Sequence, residues 1–163
     1  MSQVNPPAES LSSKGLFILL NVGTMGLYSF WFMYKMWRYL GQREQCSVLP
    51  IVRAAFSIFF FHDLAASMSR LDGQADPQQK SMNVLYVLGL LLSFLPDPFW
   101  WLSFVSLVPL VRLHARASNL RWTDGTAAFY TSRFAPRHAV LLLVGMVLWY
   151  AWWTMLVAPA YPY

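Results

Sequence analysis

Long uncharged, apolar stretches alternate with short polar segments along this chain. Two of these stretches, 15–34 and 139–158, are each long enough to cross a bilayer as a single helix. About twenty helical residues cover a hydrocarbon core of ~30 Å. The pattern therefore predicts a first membrane span over about 15–36 and a last one over about 138–158. Both stretches end among tryptophan and tyrosine, as is typical of headgroup boundaries.

The middle of the chain contains two shorter apolar segments, separated by Pro96-Asp97-Pro98. Proline disfavours the helical conformation of the residue before it, so the pattern predicts a break near Asp97. We expect helices over 82–96 and 98–113 that return the chain to its starting face, as a tight hairpin, a re-entrant pair or a pair in a thinned bilayer. The alternative is one kinked helix with Asp97 at membrane depth, where a carboxylate is costly and by default functional. We favour Asp97 in an exposed turn.

A third apolar segment, 48–66, has Arg53 near its start and His62-Asp63 near its end. Its uncharged centre, 54–61, would be only ~12 Å of helix. We therefore predict an interfacial or re-entrant helix over 48–66. An arrangement with five spans, in which this segment crosses the membrane, is the alternative.

The composition excludes an ordinary water-soluble domain. Apolar residues make up 57% of the chain and charged residues 12%, which leaves too few polar side chains to cover a soluble surface. Twelve Lys and Arg against seven acidic residues give a net charge of +5. The position of these charges then orients the chain in a bilayer.

Four spans place eleven of the twelve basic residues on one face and leave only Lys14 opposite. Loops on the cytoplasmic face are rich in Lys and Arg, so we predict that this face is cytoplasmic and that both chain ends lie on the other side. Five spans would move Lys35, Arg38 and Arg43 to the opposite face and place Arg53 within the membrane. The charge distribution therefore favours four.

These observations predict an all-α fold, a polytopic helical membrane protein with four spans plus one interfacial or re-entrant helix. The whole chain, 1–163, forms one transmembrane domain. It begins with a flexible segment over 1–14 and carries a basic cytoplasmic loop over 114–137.

Basic and aromatic side chains at the predicted boundaries are candidates for contact with anionic lipid headgroups or with a partner protein. Each basic residue near such a surface contributes about 1 kcal/mol. Membrane topology already accounts for these charges, so we expect no nucleic acid. The candidates are Lys35, Trp37, Arg38, Arg53, Arg112, Arg116, Arg121 and Trp122.

Candidate chemistry is limited to a possible polar site formed by His62, Asp63, Asp97 and Asn119. Adjacent residues of a helix point about 100° apart, so His62 and Asp63 do not face each other as an acid-base pair would. A capping or headgroup role suits them better. His114 and His138 are interpreted as boundary residues. We predict no catalytic residue, no metal site and no cofactor.

Three motifs, in order along the chain, carry a resemblance to a known family. They are TMGLYSFWFMYKMWRYL at 24–40, PIVRAAFSIFF at 50–60 and LPDPFWW at 95–101. This pattern resembles small uncharacterised bacterial inner-membrane proteins, with a Gly-aromatic first span, an Arg-Ala-Phe-Phe-like second element and a proline-aromatic turn. The Asn-containing patch of that family is reduced here to Asn119. The resemblance implies a multi-pass protein of the bacterial cytoplasmic membrane and implies no particular activity.

Three functions are compatible with these features. We favour a non-enzymatic protein that acts by association with another membrane protein, with itself or with anionic lipid, as a small subunit, scaffold or modulator. In a transporter or channel component, Asp97, Arg53 and His62 would line a shared polar cavity. In a lipid-modifying enzyme, His62 and Asp63 would act at headgroup level.

Overall fold

A computed structural model describes residues 9–44, 49–73, 77–96, 99–120, 128–132, 134 and 136–157. These residues are mostly helical, which agrees with the predicted all-α class. In chain order the elements are strand β1 Glu9–Ser12, helices α1 Lys14–Gly23, α2 Leu27–Glu44, α3 Pro50–Ala55, α4 Ser57–Asp72 and α5 Gln79–Leu92, a 3-10 helix Phe99–Ser106, helix α6 Leu107–Asn119, strand β2 Phe129–Ser132 and helix α7 Pro136–Val157.

Helices α1 and α2 form an antiparallel hairpin. Met25 and Gly26 both have positive φ, 50° and 88°, a conformation that ends a right-handed helix. The rings of Phe17 and Phe32 are 5.0 Å apart, whereas a continuous helix would separate these residues by ~22 Å. The predicted single helix over 15–36 is therefore wrong, because the chain reverses at this turn.

The turn between α1 and α2 is stabilised by Thr24. Its Oγ1 donates to the carbonyl oxygen of Leu20 at 2.7 Å and accepts from the backbone N–H of Tyr28 at 3.1 Å. One buried hydroxyl thus supplies a partner to the end of α1 and another to the start of α2. This satisfies backbone groups that helix ends leave open.

Strands β1 and β2 pair in parallel, with Glu9 opposite Phe129 and Ser12 opposite Ser132. The segment predicted to be flexible, 1–14, is thus partly a strand, and it lies beside the predicted loop 114–137. This contradicts the arrangement that puts these two segments on opposite faces. Backbone hydrogen bonds between the strands hold the two segments together. The burial of Leu11 in β1 and of Phe129 in β2 adds to this.

The predicted helix over 48–66 is two helices, α3 and α4, with a bend at Phe56. The backbone of Phe56 has ψ 37°, outside the helical range. Helix α4 continues beyond the prediction to Asp72, where Gly73 with φ 66° ends it. Such a left-handed glycine is a common end of helices.

Helix α5 and the 3-10 helix lie against each other at Gly89. A Cβ atom at Gly89 would be 2.6 Å from the backbone nitrogen of Ser106, so no side chain fits there. The 3-10 helix leads into α6, which runs to Asn119 and thus enters the predicted loop 114–137. Asp97 lies outside the described residues.

Helix α7 corresponds to the helix predicted over 138–158, and it packs against α1. A Cβ atom at Gly145 would be 2.0 Å from the carbonyl oxygen of Gly23, and Trp149 Nε1 donates to the carbonyl oxygen of Val22 at 3.2 Å. Within the described part of the chain, His138–Met155 is the one segment long and apolar enough to cross a membrane, and 11% of it is buried in the protein.

Apolar side chains are found both inside the helical assembly and over its outer surface. Phe17, Leu20, Met36 and Leu64 are completely buried in the core. Large apolar side chains also cover the outside, among them Leu27, Phe30, Leu49, Ile51, Phe56, Phe59, Val84, Phe94, Trp101, Leu143, Val147, Tyr150, Trp153 and Met155.

Candidate functional site

Helices α2, α4, α5 and α6 and the two strands contact one another at one end of the molecule. The carbonyl oxygen of Ser12 in β1 lies 2.9 Å from His114 Nε2 of α6, and Tyr39 of α2 packs on Phe129 of β2, with ring centres 4.7 Å apart. Ser69 of α4 links α6 and α5 through its hydroxyl. We call this end the basic end; contacts place Lys14, Arg43, Arg70, Arg112 and Arg116 there.

An open cavity of about 410 Å³ lies at the basic end, where α4 turns into α5. We call it the basic recess; it is lined by Ala66, Ser69, Arg70, Gly73 and Gln79. Gly73 ends α4, and a Cβ atom there would meet no atom within 4 Å. The recess combines a guanidinium, a hydroxyl and an amide, which are all groups that bind oxyanions.

Ser69 is the centre of the hydrogen bonds beside the basic recess. Its Oγ accepts from Arg116 Nη1 at 2.5 Å. The same oxygen lies 3.0 Å from the carbonyl oxygen of Ala65 and 3.3 Å from Gln79 Oε1, the two acceptors for its one proton. These bonds hold Arg116 of α6 at the edge of a recess formed by α4 and α5.

Arg70 lines the recess, and its Nη2 donates to Ser67 Oγ at 3.0 Å. Arg112 Nη1 donates to Gln78 Oε1 at 2.6 Å, next to the lining residue Gln79. Asp72 lies in the last turn of α4 and reduces the positive potential there.

His114 holds the basic end to the N-terminal strand. Its ring is buried against Phe17, with ring centres 4.5 Å apart. Burial lowers the pKa of His114, and the positive charge of Lys14 lowers it further, against an opposite effect of the bond to the Ser12 carbonyl. A neutral imidazole with Nε2 protonated donates to that carbonyl. Sequence reasoning missed this role, because the partner lies 102 residues away along the chain.

The structure buries one of the predicted headgroup contacts and leaves others at the surface. Trp37 is only 3% exposed, so its prediction as a headgroup contact is wrong. Its ring is covered by the guanidinium of Arg53, whose central carbon is 4.6 Å from the ring centre. Arg53 also lies over Phe60, at 5.4 Å. The Arg53 guanidinium stacks on both rings, which explains why an arginine is found in this apolar segment.

The other described basic candidates reach the molecular surface. Arg38 is exposed, while Lys35, Arg112 and Arg116 are partly exposed. Arg121 and Trp122 lie outside the described residues. Arg116 bonds to Ser69 in the lining of the basic recess, and Arg112 bonds to Gln78 next to it.

Asp97 of the possible polar site lies outside the described residues, and no hydrogen bond joins His62, Asp63 and Asn119, the three that are described. His62 Nδ1 contacts the side-chain amide of Asn83 in α5, and Asp63 is exposed on the next helix position. Asn119 is exposed at the end of α6. No group of three His, Cys, Asp or Glu side chains with metal-binding geometry occurs in the described ranges.

Comparisons with protein-family models, with curated proteins and with solved structures find no match to this chain. The arrangement of its own residues therefore carries the functional argument.

Proposed function

We propose that this chain is an integral protein of the bacterial cytoplasmic membrane that acts by association, binding anionic lipid headgroups at the basic recess. It would serve as a small subunit, scaffold or modulator of the membrane or of a membrane partner. The single observation that carries this proposal is an open recess lined by Arg70 of α4 and by Ser69, to which Arg116 of α6 donates a hydrogen bond, at the end of an assembly with an apolar outer surface.

The exposure of α7 supports a lipid environment. A core helix of a water-soluble protein would be mostly buried, but only 11% of the His138–Met155 segment is buried. A water-soluble monomer rarely exposes such a continuous apolar surface, which is more typical of contact with a membrane or partner. Lipid is the solvent that makes this surface favourable.

The helix lengths support fewer complete spans than the four predicted from sequence. Helix α1 has 10 residues and α5 has 14, which correspond to about 15 Å and 21 Å, short of a ~30 Å hydrocarbon core. We propose that α7 crosses the membrane, while the α1–α2 hairpin and the hairpin of α5 with the 3-10 helix and α6 enter it and return. Lys14 then joins the other basic residues on the cytoplasmic face, as the positive-inside rule requires.

Arginine suits phosphate recognition in this setting. Its planar guanidinium donates two parallel hydrogen bonds to one phosphate, and its charge persists at any physiological pH. The bond from Arg116 to Ser69 orders one guanidinium beside the recess before a ligand arrives. Preordering of this kind lowers the entropic cost of binding.

Binding of phosphatidylglycerol to purified protein, measured by native mass spectrometry from a neutral detergent, tests the proposal. Replacing Arg70 and Arg116 by glutamine removes two charges, each worth about 1 kcal/mol near a headgroup, so affinity should fall about 30-fold. The pair Arg70→Lys and Arg116→Lys is the matched control: it keeps both charges but loses the planar guanidinium, so its affinity should lie between those of the glutamine variant and the natural sequence. Equal affinity in the glutamine variant, or no preference for phosphatidylglycerol over phosphatidylcholine, would contradict the proposal.

A further inference from the structure

A second cavity, of about 290 Å³, lies far from the basic recess, between the α1–α2 turn and the hairpin of α5 with the 3-10 helix. Asn21 and Gly26 line it from one side, Tyr86 and Gly89 from another. Its volume corresponds to that of about ten water molecules in the liquid. Among the described residues that line it, none carries a charge.

Asn21 is an unsatisfied polar group in the wall of this cavity. Its side chain is completely buried, and its Nδ2 donates to the carbonyl oxygen of Phe17 at 2.8 Å. Its Oδ1 accepts no hydrogen bond from the described part of the chain. A buried acceptor without a donor is costly, and a ligand that supplies the donor recovers this cost.

Four of the five hydroxyl groups that the described lining residues carry have already used their protons, and the fifth, that of Ser103, keeps a proton to donate. Ser93 donates to the carbonyl oxygen of Leu90 at 2.6 Å and Ser106 to that of Ser103 at 2.7 Å. Ser29 donates to the carbonyl oxygen of Gly26, and Tyr86 donates to Ser57 at 2.9 Å. Each of these oxygens keeps acceptor capacity. The cavity is thus rich in acceptors and poor in donors.

This chemistry restricts the ligand. An ammonium or guanidinium would donate hydrogen bonds, but none of the described lining residues is a carboxylate that would balance its charge at a buried position. Among the described lining side chains, an oxyanion would meet one hydroxyl donor, that of Ser103, and otherwise acceptors. The complementary ligand is neutral, carries hydroxyl donors and has an apolar remainder.

The entrance to the cavity indicates where the apolar remainder lies. Leu27 and Phe30 line the cavity and are 55% and 42% exposed. Under the proposed function, these side chains face lipid hydrocarbon. A small polar group can therefore enter between them while attached acyl chains stay in the bilayer.

We propose that this cavity binds the glycerol hydroxyl group of a neutral acylglycerol, which donates its proton to Asn21 Oδ1. The acyl chains extend from the cavity between Leu27 and Phe30 into the bilayer. This inference rests on the proposed membrane location, but it concerns a different ligand and different residues from those of the basic recess.

Binding of dioleoylglycerol to the purified full-length protein in detergent, measured by native mass spectrometry, tests this inference. Asn21→Leu removes the acceptor at similar volume and should weaken binding about tenfold, as expected for one hydrogen bond of about 1.4 kcal/mol. Asn119→Leu makes the same exchange at the exposed end of α6 and should leave binding unchanged. Ser103→Phe places a large side chain in the lining of the cavity and should also weaken binding, which keeps the test valid if Asn21→Leu does not fold.

The outcomes of this experiment distinguish failure of the acylglycerol site from failure of the basic recess. Loss of dioleoylglycerol binding in Asn21→Leu and Ser103→Phe, with phosphatidylglycerol binding retained, supports the acylglycerol site. Unchanged dioleoylglycerol binding in both variants, or no saturable binding by the natural sequence, overturns it and leaves a water-filled cavity. Failure of the basic recess would instead appear as unchanged phosphatidylglycerol binding in the Arg70→Gln and Arg116→Gln variant.

Discussion

His114 shows how a single residue can connect distant parts of this chain. It lies between β1 and the α1–α2 hairpin, where its ring contacts Phe17 and Phe32 and its Nε2 bonds to the Ser12 carbonyl. Its pKa is lowered from the ordinary value of 6.5, mainly by burial. The folded protein therefore binds a proton at this position less readily than the unfolded chain does.

This difference predicts a pH dependence of stability. The unfolded state takes up more protons below about pH 6.5, so the contribution of neutral His114 is present above that value and is lost as the pH falls. We expect the thermal unfolding midpoint in detergent to decrease between pH 7.5 and 5.5. In His114→Gln, which cannot titrate, the decrease should be smaller. An equal decrease in both proteins would show that other groups cause it.

At the scale of elements, the close approach of α1 to α7 depends on two glycines. Gly145→Ala would bring a Cβ atom 2.0 Å from the carbonyl oxygen of Gly23, so the helices must separate. We expect a loss of about 1–3 kcal/mol, the usual cost of overpacking, in the free energy of unfolding. Gly15→Ala is the control: no atom lies within 4 Å of its Cβ, and stability should be unchanged or slightly higher. A comparable loss in both variants would contradict this packing.

The sequence predicted some elements better than others for physical reasons. Helix α7 was predicted correctly because a long uncharged, apolar run indicates a long apolar helix. The α1–α2 turn was missed because Thr24, Met25 and Gly26 are uncharged and so do not interrupt the hydrophobic pattern. Only the positive φ at Met25 and Gly26 reveals the reversal. Hydropathy measures polarity and does not report backbone direction.

The site was harder to predict than the helices. Arg112 and Arg116 were identified from charge alone, but Ser69 and Gln79, which line the neighbouring basic recess, come from other helices and carry no charge that would indicate it. The pairing of β1 with β2 joins residues 120 positions apart in four-residue strands. Such short strands carry too few alternating positions for a periodic signal. Burial of Trp37 under Arg53 likewise depends on tertiary packing.

At the scale of the whole molecule, the account depends on one orientation. The strand pair and His114 join the N-terminal segment to the basic residues of α6, and α7 leads away from that end. With α7 as the complete span, the N-terminal segment and the basic end share the cytoplasmic face, and the C-terminal end of α7 lies opposite. Four spans would instead put both chain ends outside.

Reporter fusions in living cells test this orientation most directly. Reporters active only on one side of the membrane are fused before Met1, after Gly73 and after Tyr163, and expression levels are matched. The account predicts the reporters before Met1 and after Gly73 on the cytoplasmic face and the reporter after Tyr163 on the opposite face. A reporter before Met1 on the same face as the one after Tyr163 would contradict it.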